Sequence, residues 1–132
     1  MLKKVIACLC LVTGLMLAGC KKDDQMRSVI KDLDAFTTEL VQKVETGGVD
    51  EGQKFMDSNK ADMKAKLESI KDIREFQVSE ETKKFMTDSL IKDLTAIMSL
   101  QTKYVSKSVA DPVFKSKLEK LVADYRALLP SA

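Results

Sequence analysis

Histidine and tryptophan are absent from this chain, and helix-breaking residues are scarce: two prolines and five glycines in 132 residues. Without histidine there is no imidazole to act as base for a serine or cysteine nucleophile, or to ligate haem iron or zinc. The three cysteines, Cys8, Cys10 and Cys20, all fall at the N-terminal end. No glycine-rich phosphate loop, nucleophile elbow or calcium-loop spacing occurs. Charge of neither sign predominates, with 22 Lys and Arg against 20 Asp and Glu. That balance lacks the basic excess a nucleic-acid surface needs, so no nucleic-acid partner is expected. The chain therefore reads as a non-enzymatic protein with no cofactor and no metal site.

What is present starts with Lys3 and Lys4, followed by an apolar stretch from Val5 to Ala18 broken only by Thr13 and Gly14. A bilayer-crossing helix needs about 20 apolar residues, so this stretch is too short. A basic start, a short apolar core and small residues before a boundary are the parts of a secretory signal. The boundary itself, Leu17-Ala18-Gly19-Cys20, resembles the lipobox of bacterial lipoproteins. The resemblance implies cleavage between Gly19 and Cys20, diacylglycerol on the Cys20 thiol and acylation of the new amino group. Residues 1–19 are then a signal peptide, 20–25 the lipidated cysteine with a short tether, and 26–132 one helical domain. Enteric lipoproteins kept in the inner membrane typically carry aspartate where this chain has Lys21, which favours the outer membrane, with the domain facing the periplasm. In a source with a single membrane the anchor is on its outer face. Loss of Cys8 and Cys10 with the signal, and occupation of Cys20 by lipid, leave no disulfide, so the domain depends on its own core. Removing Lys3 and Lys4 also removes the net charge of +2.

The spacing of apolar residues predicts four amphipathic helices and no strands. The first spans about 26–46, with Met26, Val29, Ile30, Leu33, Phe36, Leu40, Val41 and Val44 on one stripe, and Gly47-Gly48 ends it through a left-handed turn. The second runs from an N-cap near Asp50 to about Ile73, carrying Phe55, Met56, Met63, Leu67 and Ile70. The third starts after Ser79, with Glu80 and Glu81 in its first turn, and continues to about Lys107; its broad apolar arc predicts the most buried helix of the four. Asp111-Pro112 opens the fourth, which presents Phe114, Leu118, Leu121, Val122, Tyr125, Leu128 and Leu129 until Pro130. Short connections join them into an up-down-up-down four-helix bundle, the alternative being a three-helix bundle with one long helix.

Several polar groups compete for a functional reading. The acidic pairs Asp23-Asp24, Asp32 with Asp34, and Glu80-Glu81 read as caps or solvated faces. Five methionines beyond the signal, Met26, Met56, Met63, Met86 and Met98, read as core filler. Thr37, Asn59, Lys66 and Gln101 fall on or beside apolar arcs and are the candidate inter-helix polar groups. A buried amide without a partner costs about 1–3 kcal/mol, so those that face inward must find one another or a carbonyl. An Asn59–Gln101 pair is one expectation and a backbone carbonyl partner the other, with Lys66 extending its ammonium to water.

Two functions fit. In the first, a lipid-anchored helical module, held near the membrane through Cys20, presents a helix face or groove to another envelope protein, as an adaptor or structural element. In size, anchoring and helicity it is similar to pilotins, helical lipoproteins that escort secretin subunits to the outer membrane, though no motif is shared. In the second, the bundle carries an apolar small molecule or lipid in a cavity lined by Phe55, Met63, Leu94 and Leu121.

Overall fold

A computed structural model describes the backbone of residues 2–130 and the side chains of residues 22–130. Cys20, the expected lipidation position, and the whole expected signal peptide, Gly19 included, therefore lie outside the residues whose side chains are described. Among the described residues the fold is all-α, and no helix is long and apolar enough to cross a membrane. The elements are α1 (Leu2–Gly47), α2 (Val49–Ile70), α3 (Glu80–Lys103), α4 (Val105–Ala110) and α5 (Pro112–Leu128), with a 3-10 turn at Glu75–Gln77 between α2 and α3.

Local chemistry accounts for the boundaries. Gly48 alone separates α1 from α2, at φ 91° and ψ 174°. This is an extended backbone with positive φ, which only glycine adopts readily, rather than the expected left-handed turn. It is also the N-cap of α2, so Asp50 and Glu51 lie inside the first turn, where their charge complements the helix dipole. Ser79 caps α3 by accepting from the Thr82 N–H at 3.2 Å. Asp111 caps α5 by accepting from Val113 and Phe114, each at 3.0 Å, with Pro112 opening the helix. The expected third helix is interrupted at Tyr104, whose φ of −105° and ψ of 22° leave the helical region. The bend directs α4 toward α5, and the Tyr104 ring meets Phe114 edge-on at 5.8 Å.

Side-chain pairs give the direction of each helix. Asp32 meets Lys66 and Phe36 meets Phe55, so α1 and α2 are antiparallel. Asp23 meets Ser79, Arg27 meets Thr82 and Glu45 meets Lys103, so α1 and α3 are parallel neighbours. Asp50 with Lys117 and Gln53 with Asp124 likewise make α2 and α5 parallel. The helices alternate up and down as expected, but α2 and α3, consecutive in sequence, sit diagonally, and residues 71–79 cross the end of the bundle beside α1. Asp23, in the segment expected as the tether, lies in α1 and already takes part in this packing. The opposite end holds both hairpin turns, Gly47–Val49 and the α4–α5 junction, which line one small surface depression.

The core runs through Ile30, Leu33, Leu40, Met56, Leu118 and Leu121. It is stitched by the aromatic contacts Phe36–Phe55 and Phe36–Tyr125, at 5.2 and 6.4 Å between centroids. The third helix departs from expectation. Its buried residues are Thr82, Ser89, Asp93, Ile97 and Leu100, while Leu90 and Leu94 are half-buried and Ile91 is 61% exposed. An arc that wide cannot be covered by α1 and α5 together, and α3 is rotated so that a largely polar stripe meets α1.

Candidate functional site

That polar stripe builds the most unusual site in the bundle. Asp93, only 2% exposed, stands on the inward face of α3 between Leu90 and Ile97 and meets Asp34 of α1. Asp34 Oδ1 and Asp93 Oδ2 are both buried without a hydrogen-bond donor. Burial is the largest cause raising the Asp93 pKa, followed by the hydrogen bond and charge of Asp34, and together they push it to about 8. A proton on Asp93 would supply the donor that these two buried oxygens lack. Lys92 opposes this shift and reaches Asp34 Oδ2 at 3.4 Å from the solvent side.

Thr37 lies on the same side of α1, one turn beyond Asp34. Its hydroxyl donates to the Leu33 carbonyl at 2.8 Å and lies 2.6 Å from the Tyr125 hydroxyl. Threonine has one proton, already committed to Leu33, so the Tyr125 O–H donates to Thr37. Burial above all, with a further contribution from the Asp93 and Asp34 charges, holds the Tyr125 phenol above its ordinary range. An open groove of about 640 Å³ runs over this site, with Thr37 and Asp93 on its floor, Val41 and Ala96 beside them, and Glu45 and Lys92 at the rim. The arrangement sets a buried carboxyl beneath a groove lined by both Lys92 and Glu45.

The four candidate polar residues disperse. Thr37 is buried and belongs to the site. Asn59 donates to the Phe55 carbonyl one turn back at 2.8 Å, and Gln101 is exposed, so the expected Asn59–Gln101 pair does not form. Asn59 is on α2 and Gln101 on α3, and the diagonal placement of those helices keeps them apart. Lys66 does extend its ammonium outward, where hydrogen bonds first to Asp62 and then to Asp32 raise its pKa. Asp23 lies within α1 and caps no helix; its carboxylate accepts from the Ser79 N–H, and this bond is the main cause lowering its pKa. Asp34 is not a solvated-face residue, since it is drawn into the carboxyl pair.

Asp93 itself carries a signal in the sequence, an acid set inside an apolar run at helical spacing, but α1 must supply the second carboxyl before it becomes a site. Of the expected cavity lining, Met63 and Leu121 are buried within the core, with Phe55 and Leu94 packed against it. Met26, Met56 and Met63 fill the core as expected, whereas Met98 sits at the surface beside Arg126, whose Nη2 lies 3.3 Å from its sulfur. No protein-family model matches this chain, and comparison with curated proteins and with solved structures finds no match.

Proposed function

We propose that this chain is a bacterial lipoprotein whose helical bundle is a non-enzymatic adaptor, anchored through Cys20 close to the outer membrane and presenting its far end to another envelope protein. The observation that carries the reading is the distance between the lipobox and the fold. Only Lys21 and Lys22 separate Cys20 from Asp23, whose carboxylate already accepts from Ser79 N–H at 2.9 Å. A domain joined so closely to its lipid works at the membrane surface.

The surface of the bundle supports a partner. Val105, Val109 and Val113 are exposed around the α4–α5 turn, at the end opposite Asp23, with Val109 at 82%. Burial of a valine is worth about 1.5–3 kcal/mol, so three exposed around one turn offer an effective contact for a second protein. The filled core around Met63 and Leu121 supports this role over carriage of an apolar molecule.

Expression with a radiolabelled fatty acid tests the anchor: label is expected on the wild type and absent from Cys20→Ala. Crosslinking of membranes then tests the adaptor. A single reproducible protein partner is expected, lost from Val109→Asp with the fold intact; co-purified lipid with no protein partner would favour the carrier instead.

A further inference from the structure

We infer that the turn between α2 and α3 is a membrane-contact site, with the Phe76 ring seated in the interfacial layer of the bilayer that holds the anchor; this rests on lipidation of Cys20. Phe76 is 81% exposed, whereas Phe36 and Phe114 are buried and Phe55 and Phe85 half-buried. The turn that presents it is well held. Ile73 and Val78 on either side pack against the core. Between them the Gln77 N–H donates to the Arg74 carbonyl and the Arg74 N–H donates to Gln77 Oε1, both at 2.9 Å. A ring kept outward by a hydrogen-bonded turn is presented to something.

The tether identifies what that is. Three residues of chain span at most about 11 Å, so the Cys20 backbone lies within that distance of Asp23, which is bonded to Ser79. Phe76 is three residues before Ser79, at this same end of the bundle. Acyl chains on Cys20 therefore bring the headgroup layer to the turn, and aromatic rings favour that boundary. Lys21, Lys22, Lys71 and Arg74 are matched locally by Asp23, Asp24, Asp72 and Glu75, so the contact does not depend on anionic lipid. A second point of attachment beside the acyl chains stops the bundle from swivelling and directs Val109 away from the membrane.

The absence of tryptophan makes the test direct. Phe76→Trp introduces one tryptophan, excited selectively over Tyr104 and Tyr125, into the full lipidated protein, with Val109→Trp as the control at the far end. Both are reconstituted into phosphatidylcholine vesicles with brominated acyl chains, with and without phosphatidylglycerol. The fluorophore at position 76 is expected to shift to the blue and lose about half its emission in both vesicle types, as an interfacial indole does, while that at position 109 is unaffected. Unquenched emission at position 76, in protein whose mass includes the diacylglyceryl group, overturns the contact and leaves the anchor standing. A mass without that group overturns the anchor, and the contact with it.

Discussion

Asp93 occupies a position where a leucine or methionine would pack without electrostatic cost. Its ordinary pKa of 3.8 is pushed up to about 8 by burial and by Asp34. Below about pH 4 the carboxyl is protonated in both folded and unfolded chains and makes no difference to stability. Above that, the unfolded chain loses its proton while the folded chain keeps it, so stability falls as pH rises toward 8 and levels off beyond. Asp93→Asn retains a donor for Asp34 without the titration. It is expected to stabilise the protein by up to about 6 kcal/mol at pH 8 and by little near pH 4, measured by urea unfolding across pH. A constant difference at all pH values would show that the two carboxyls do not share a proton. The neighbouring hydroxyls make an asymmetric pair. Thr37→Val strands the buried Tyr125 donor and is expected to cost about 1–3 kcal/mol, whereas Tyr125→Phe leaves Thr37 still bonded to Leu33 and costs about 1 kcal/mol. The double variant should recover part of the larger loss.

At the scale of the helix, two glycines in the first hairpin act for different reasons. Gly48 needs its positive φ, and Gly48→Ala is expected to lose about 1–3 kcal/mol through backbone strain alone, since the space around it is open. Gly52 has ordinary helical geometry, and alanine there would gain about 1 kcal/mol in helix propensity. Yet an added Cβ would collide with Val44 Cγ2 and crowd Leu121. Overpacking of about 1–3 kcal/mol outweighs the propensity gain, so Gly52→Ala should lower the melting temperature and Val44→Ala should partly restore it.

Legibility followed the same division. Ser79 and Asp111-Pro112 were readable because a cap acts within three residues of its helix. The broad arc of α3 was not, because apolar spacing says which residues can be buried but not how many neighbours there are to bury them. Thr37 stood out on the α1 stripe, but its partner was hidden in Tyr125, which reads as one more apolar-face residue until α5 is placed. The wrong pairing of Asn59 with Gln101 has a related cause: helix directions could be inferred from short connections, but not which two helices lie across the diagonal.

For the whole molecule, the direction of the bundle bears on the proposed anchor. The start of the bundle at Asp23, the 71–79 crossing and the end of α5 beside α2 lie together, while the two hairpin turns point the other way. Cys20→Ala is expected to move the protein from the membrane fraction to the soluble one without altering its urea midpoint, checked by fractionation and circular dichroism. A large loss of stability in that variant would instead mean that the cysteine is part of the fold.

The diagonal crossing also bears on how the chain folds. Helices α1 and α2 close on each other across a single residue, and α3 closes on α5 through the short α4. Each half is therefore a hairpin in sequence, and the contacts between the halves join residues 55 to 88 apart. Local contacts of this kind favour refolding in microseconds to milliseconds. The α1–α2 contacts need no chain beyond Ile70, whereas α3 needs both α1 and α5 to cover its inward face, so the crossing is the step that joins the two halves.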